Sequence, residues 1–425
     1  MDMNKRSLGF ILGFFMLNQL VFGQVKKVEV KGNFAVGYQL LRDGKPYYVN
    51  GAGGDAFMDK TVSAGGNSIR LWGAENAQSV LDEAQKRGLT VMLGLWMPPE
   101  RHGFDYSDKL ACQDQLDQFR SVVNKYKNHP ALLLWGVGNE VDLNYTDFSV
   151  WKAVQNIAAM IHQEDPNHPT CVVTAGIDAP EVSLIKEMCA DIDILGINTY
   201  GDLPALPEKV RLFGWEKPYM VTEWGPNGHW EVAKTSWGAA IEQTSTEKAI
   251  TYRDRYSNYI RKDSALCLGS YVFLWGQKQE TTPTWYGVFV DKKQTEAVDV
   301  LQEVWSGTAP ANWAPQIMLY TLNGKTPAES VKSSKGGKVQ VGLDVKHAEP
   351  SSLKYKWEIL PESEFTKSGG DVEQKPEAIP VLMGGDAQKG YVFKAPFQKG
   401  AYRLFVYIYD THEQVACANF PFWVN

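Results

Sequence analysis

The chain has 425 residues, of which 44% are hydrophobic and 22% are charged, an ordinary composition for a globular protein with a large core. One barrel domain uses roughly 250 residues, so this length predicts two folded units. There are 43 Lys and Arg and 49 Asp and Glu, which gives a net charge of −6. Since no basic face stands out, we expect no nucleic-acid partner.

The N-terminus has the pattern of a secretory signal peptide. Lys5 and Arg6 precede an apolar run over residues 8–17, and the small Gly23 offers a cleavage point before Gln24. The run is shorter than the ~20 residues that span a bilayer. We therefore expect residues 1–23 to be removed, the mature protein to be secreted or periplasmic, and no membrane association after cleavage. A monomer is the default oligomeric state.

Eight short apolar runs then alternate with stretches of helical periodicity, after an extended pair (35–41 and 45–49) joined by the turn residues Asp43 and Gly44. Apolar runs without polar alternation are typical of parallel strands covered on both faces. Eight such strands predict a (β/α)₈ barrel over residues 24–308. The predicted strands are 47–52, 68–72, 90–96, 132–137, 171–174, 192–197, 219–222 and 268–274, and the clearest predicted helices are 77–87, 113–126, 150–163, 247–261 and 295–305.

Residues 306–315 carry Gly, Ala and Pro and interrupt this pattern, which indicates a domain boundary. Beyond it the hydrophobic period changes to two, as in antiparallel strands. We therefore predict a small β-sandwich over residues 309–425. The segment GAYRLFVYIYD near the end resembles a strand of immunoglobulin-like and fibronectin-like modules. The predicted strands are 338–343, 353–359, 390–393, 401–409 and 414–423.

Two predicted strands end in a glutamate. Asn139 and Glu140 end the fourth barrel strand, and Glu223 ends the seventh. The carboxyl ends of barrel strands form one rim, so both carboxylates are expected in one cleft. Retaining glycoside hydrolysis needs a carboxylic acid that protonates the leaving oxygen and a carboxylate that attacks the anomeric carbon. We assign Glu140 as general acid/base and Glu223 as nucleophile.

Other strand-end residues are suited to support this chemistry. Arg70 and Tyr200 are expected to donate hydrogen bonds to Glu223, and Asn139 is placed to bond a sugar 2-hydroxyl. Tryptophan rings at strand ends can stack on pyranose rings, although barrel mouths also use them for packing. The tryptophans considered as substrate contacts are Trp72, Trp96, Trp224 and Trp275. Arg101, His102 and His229 are loop residues that contact either sugar or solvent.

This set of residues resembles clan A of the glycoside hydrolases, whose members carry an Asn-Glu on strand four and a nucleophilic Glu on strand seven. The matching positions are Arg70, Asn139, Glu140, Tyr200, Glu223 and Trp275. The layout of one barrel followed by one sandwich is similar to the two-domain endo-β-1,3-glucanases of glycoside hydrolase family 158. That resemblance implies a laminarin-type glucan as substrate. The motifs are also compatible with family 2-like and mannanase-like relatives, so β-mannan or a β-galactoside is the alternative.

No other chemistry has comparable support in the sequence. Seven histidines and five scattered cysteines show no metal-ligand spacing, and no nucleophile elbow or dinucleotide fingerprint occurs. We expect no metal and no cofactor. The cysteines are expected to be buried free thiols, although a pair could be bridged. A barrel that binds glycans without cleaving them is the rival class, but such proteins usually lose one of the residues present here.

Overall fold

The computed structural model describes residues 25–363, 369–386 and 390–425, so the predicted signal peptide lies outside the described residues. The fold begins with a three-stranded antiparallel sheet of β1 (Val28–Asn33), β2 (Gly37–Arg42) and β3 (Lys45–Pro46). Asp43 and Gly44 have φ of 50° and 71°, which the predicted hairpin turn requires. The main partner of β2 is β1, which the sequence analysis did not predict.

The predicted barrel is confirmed, because eight parallel strands close on themselves in chain order. Their residues are almost all buried, since side chains fill the interior on one face and helices cover the other. Each of the eight predicted strands corresponds to one of these. The barrel strands are β4 (Val49–Gly53), β5 (Ser68–Leu71), β6 (Thr90–Leu95), β7 (Leu132–Val137), β8 (Thr170–Ala175), β9 (Ile194–Asn198), β10 (Tyr219–Trp224) and β11 (Cys267–Val272).

Helices surround the barrel, and three of the eight described α-helices begin with a side-chain cap. The side chains of Asp108 and Asp178 cap two of them, and Thr244 and Glu247 form a reciprocal capping box at a third. The helices are α1 (Met58–Ser63), α2 (Ala77–Lys86), α3 (Lys109–Tyr126), α4 (Ser149–Glu164), α5 (Ala179–Met188), α6 (Leu206–Leu212), α7 (Ser245–Arg255) and α8 (Glu296–Ser306). No helix in the described ranges is long and apolar enough to cross a membrane.

The last loop of the barrel carries a two-stranded ribbon, β12 (Phe289–Val290) and β13 (Lys293–Gln294), and α8 ends at Gly307 with φ of 72°. The C-terminal part is a sandwich of two four-stranded sheets, in the orders β14-β16-β19-β18 and β15-β21-β20-β17. The predicted sandwich is thereby confirmed, and it contains three strands that were not predicted, β14, β15 and β18. Its strands are β14 (Gln316–Leu322), β15 (Lys332–Ser333), β16 (Lys338–Lys346), β17 (Lys354–Pro361), β18 (Gly384–Asp386), β19 (Gly390–Lys394), β20 (Gly400–Tyr409) and β21 (Val415–Val424).

The sandwich packs against the barrel through buried polar contacts. Glu242 of the barrel accepts a hydrogen bond from Asn419 of the sandwich, and Arg403 donates to the carbonyl of Ala240 at 2.7 Å. Ser245 Oγ accepts from the backbone N–H of Cys417 at 3.0 Å. These groups are buried and mutually satisfied, so the two modules share a specific interface. All five cysteines are free, and four are buried.

Candidate active site

Glu223, at the end of β10, accepts three hydrogen bonds. Its Oε1 accepts from Arg70 Nη1 at 3.0 Å and from Trp72 Nε1 at 2.7 Å, and its Oε2 accepts from the Tyr200 hydroxyl at 2.9 Å. The side chain is only 8% exposed. One cationic and two neutral donors stabilise negative charge on this buried carboxylate, and a nucleophile needs that charge.

Arg70 of β5 is hydrogen-bonded to residues at the ends of three other barrel strands, β7, β9 and β10. Its guanidinium is buried at the centre of the barrel mouth. Besides Glu223, it donates to the carbonyl of Thr222 at 2.8 Å and to Asn139 Oδ1 at 2.6 Å. Because the guanidinium is a rigid fork of donors, these bonds fix the position of Glu223 relative to Asn139.

Glu140 has a different environment from Glu223. It lies two residues after Gly138, whose φ is 71°, and itself has φ of 49°, so the chain turns sharply at the end of β7. Its Oε1 accepts from Asn198 Nδ2 at 2.8 Å. Burial and the nearby charge of Glu223 raise the pKa of Glu140 to about 8. Glu140 is therefore protonated at neutral pH and can act as an acid.

Asn198 is a site residue that the sequence analysis missed. It lies at the end of β9, donates to Glu140, and also donates to Asn139 Oδ1 at 3.2 Å. The available signal was its place in the run INTY, because side chains alternate along a strand and Asn198 and Tyr200 therefore share a direction. Asn139 Oδ1 accepts from both Arg70 and Asn198, so only the NH₂ group of Asn139 remains to bind a substrate hydroxyl.

These groups open into a cleft of about 700 Å³ at the carboxyl ends of the barrel strands. Trp72 and Trp96, which are predicted substrate contacts, line it, and His229 lines it as well. Trp230, which was not predicted, is 56% exposed there and meets the ring of Tyr200 edge to face. Aromatic faces beside polar groups are suited to holding a sugar ring.

The predicted substrate contacts of Trp224 and Trp275 are wrong, because both side chains are completely buried. Glu223 points into the barrel, so the next residue along the strand, Trp224, points outward and packs on Tyr252 and Tyr256 of the surrounding helical layer. Trp275 stacks on Trp305 of α8, with ring centroids 5.7 Å apart. The neighbours Phe273 and Leu274 line the cleft at that place instead.

Arg101 and His102 do not lie free in solvent. Both pair with Asp371 of the C-terminal module, at 3.7 Å from Arg101 Nη2 and 3.2 Å from His102 Nε2. Burial lowers the pKa of His229, which keeps that imidazole neutral at neutral pH. Within the described residues, no group of three or more His, Cys, Asp or Glu side chains is arranged to hold a metal ion.

Residues 75–236 match the family model described as the TIM barrel domain of glycosyl hydrolases family 2. Two curated β-glucuronidases are similar to part of this chain. That of Paenibacillus borealis is 23% identical over 200 residues, which cover 45% of this chain and 32% of the relative. That of Chlorocebus aethiops is 24% identical over 221 residues, which cover 44% and 32%. The chain thus spans about a third of the length of these relatives.

Solved structures show the same fold at low identity. The β-D-glucuronidase of Dictyoglomus thermophilum superposes with a TM-score of 0.52 at 18% identity, over 68% of this chain and 54% of that one. β-Glucuronidase 2 of Bacteroides uniformis gives 0.51 at 15% identity, over 94% and 48%. The family match and the barrel support the prediction of a glycoside hydrolase. The match is to family 2, and the likeness to the family 158 layout remains a prediction.

Proposed function

We propose that this protein is a retaining β-glycoside hydrolase in which Glu223 is the nucleophile and Glu140 the general acid/base. One observation carries the proposal: two carboxyl groups share one cleft, and one is surrounded by hydrogen-bond donors while the surroundings of the other disfavour its charge. Arg70, Trp72 and Tyr200 all donate to Glu223. Burial and the charge of Glu223 keep Glu140 protonated. Pairs of this kind identify the acid and the base of a reaction.

The reaction takes two displacements. Glu223 Oε attacks the anomeric carbon while Glu140 gives its proton to the departing glycosidic oxygen, which leaves a glycosyl ester on Glu223. Forming the ester removes the charge of Glu223, which is one of the two main causes of the raised pKa of Glu140. Glu140 then accepts a proton from water, and the water oxygen attacks the same carbon and releases the sugar with retained configuration.

The charges of the cleft favour a neutral sugar over a uronic acid. Besides the catalytic pair, the lining carboxylates are Glu231, Glu280 and Asp202. Lys278 pairs with Glu280 at 2.8 Å and Lys209 pairs with Asp202, which leaves Glu231 as the carboxylate that no salt bridge among the described residues balances. A substrate carboxylate would meet this excess of negative charge. We therefore expect a neutral substrate and not a glucuronide, although the named relatives are β-glucuronidases. With the two-domain layout, this favours a β-1,3-glucan of the laminarin type, and β-mannan or a β-galactoside is the alternative.

The predicted signal peptide places the proposed reaction outside the cytoplasm, on polysaccharide in the periplasm or beyond the cell. Polysaccharide chains are too large to enter most cells intact. Their first cleavage therefore takes place outside the cell and needs an exported enzyme.

The first test is product analysis. The wild-type protein and the Glu223→Gln variant are incubated with laminarin, β-mannan, mixed-linkage glucan and aryl β-glucoside, β-galactoside and β-glucuronide. We expect a ladder of oligosaccharides from laminarin, and a rate lower by roughly 10³-fold or more in Glu223→Gln, because an amide cannot form the ester.

Glu231→Gln is the matched control, since it removes another carboxylate of the same cleft that the reaction does not use. Its rate should stay within about tenfold of the wild type. A Glu223→Gln variant as active as Glu231→Gln would refute the assignment of the nucleophile. Release of sugar from the glucuronide alone would refute the neutral substrate and keep the mechanism.

A further inference from the structure

The connection between β17 and β18 leaves the sandwich and reaches the barrel mouth. Its described residues 369–383 contain no helix or strand, and connections of this length are uncommon and usually functional. This one is anchored at both ends inside the sandwich. Glu362 accepts from Arg403 Nε at 2.9 Å, and the backbone N–H of Ile379 donates to the carbonyl of Ile359 at 2.8 Å. We call its described middle part, residues 369–373, the rim segment.

Two loops of the barrel hold the rim segment in place. After β6, Arg101 and His102 pair with Asp371. After β11, the backbone N–H of Thr281 donates to Glu373 Oε2 at 2.7 Å. The rim segment therefore bridges two separate loops of the mouth with its acidic side chains, and the position of its backbone is defined by the barrel as well as by the sandwich.

The part of the rim segment that faces the cleft is a pair of glycines. Gly369 and Gly370 both line the cleft and have φ of 63° and 71°. A Cβ atom on Gly369 would meet the guanidinium of Arg101 and would lie 3.1 Å from Leu143 Cδ2. Since neither glycine carries a side chain, peptide groups face the cleft, and these both donate to and accept from sugar hydroxyls.

Polar side chains of the barrel complete this end of the cleft. Lys278 Nζ donates to the carbonyl of Gly370 at 2.8 Å and pairs with Glu280 Oε2 at 2.8 Å. The carbonyl of Gly370 accepts from one of the three N–H donors of this ammonium group. The charges of Lys278 and Glu280 balance, and the aliphatic side chain of Leu143 lies beside them. This combination suits a neutral ring with several hydroxyls.

We propose that the rim segment, with Lys278 and Leu143, forms a subsite for a neutral hexopyranose ring that lies beyond the ring at Glu140 and Glu223. The C-terminal module is then part of the substrate cleft and helps to set the length of saccharide that binds. The proposal rests on the proposed function for the identity of the ligand, a β-1,3-glucan.

The test compares affinities for laminarihexaose, measured by calorimetry on the full chain in the Glu223→Gln background so that nothing is cleaved. The double change Asp371→Ala, Glu373→Ala removes both side-chain anchors without altering a residue that lines the cleft. We expect it to raise the Kd for laminarihexaose at least fivefold and the Kd for laminaribiose less than twofold. Lys375→Ala is the matched control, because Lys375 lies in the same connection and its salt-bridge partner, Glu358, belongs to β17 of the sandwich.

A second variant guards against misfolding of the first. Leu143→Trp leaves the anchors intact and fills the space beside Gly369, and it should weaken laminarihexaose in the same way. Three results would overturn the subsite. The affinity could be unchanged in both variants, the losses could be equal for the short and the long saccharide, or laminarihexaose could fail to bind at all. A wild-type protein that binds laminarihexaose through the rim segment but cleaves nothing would refute the hydrolase and leave the subsite standing.

Discussion

Among the described residues, Glu140 accepts one side-chain hydrogen bond, from Asn198, whereas Glu223 accepts three. Both are glutamates, so the difference between them comes entirely from their neighbours. Arg70 and Tyr200 could be predicted because each lies at a strand end in its own sequence run. Asn198 was missed because its role depends on Glu140, which is far away in the chain and close only in the folded barrel.

The raised pKa of Glu140 predicts how activity depends on pH. The protonated form is the active acid and is lost as the pH rises through about 8, so kcat/KM for laminarin should fall above that pH. Glu140→Gln should lower kcat by about 10²–10⁴-fold and remove this alkaline limb. Initial rates from pH 5 to 10 measure both. Glu231→Gln should keep the fall in activity above about pH 8. If this fall persists in Glu140→Gln, another group causes it.

At the scale of elements, the loop after β7 is tied to the end of β8 close to the acid. Both oxygens of Asp142 accept from the backbone N–H of Ala175, at 2.8 and 3.1 Å, and Asp142 also shares a hydrogen bond with Glu181 of α5. Burial, and then the charge of Asp142, raise the pKa of Glu181 to about 10. The pair holds a proton at neutral pH, which keeps the turn containing Glu140 attached to its neighbour strand.

This shared proton predicts a pH effect on stability. Glu181 keeps its proton in the folded protein up to about pH 10 but loses it near pH 4.3 when unfolded, so folding is weakened as the pH rises between these values. Glu181→Gln donates the same hydrogen bond without titrating. Its Tm should therefore fall less between pH 6 and 9 than that of the wild type, as measured by thermal unfolding. The exposed Glu187→Gln on the same helix should follow the wild type, and parallel curves for all three would contradict the shared proton.

At the scale of the whole molecule, the two modules are joined by a buried network around Glu242. This carboxylate pairs with Lys248 at 2.5 Å, accepts from Thr284 Oγ1 at 2.8 Å, and accepts from Asn419 of the sandwich. Burial alone would raise the pKa of Glu242, but the charge of Lys248 and these hydrogen bonds hold it below its usual value. The network holds the sandwich against the outside of the barrel.

Removing Glu242 should therefore destabilise both modules together. Glu242→Ala leaves Lys248 as a buried charge without its partner, and breaking a buried pair in this way costs about 3–5 kcal/mol in the free energy of unfolding. Denaturant unfolding followed by tryptophan fluorescence measures the loss. Glu413→Ala, which removes an exposed pair with Lys293, should leave the midpoint unchanged. Equal midpoints for the two variants would show that the network does not couple the modules.

The sequence by itself determined the order of strands and helices, the barrel, the sandwich and the two glutamates, because hydrophobic period and position at a strand end are local properties. Only the tertiary structure decided which way the side chains at those ends point. Trp224 and Trp275 are strand-end tryptophans by sequence, yet both are packed against the helical layer. It also decided that residues 369–373 lie at the barrel mouth. That contact joins residues far apart in the chain through individual hydrogen bonds and ion pairs, which leave no periodic pattern in the sequence.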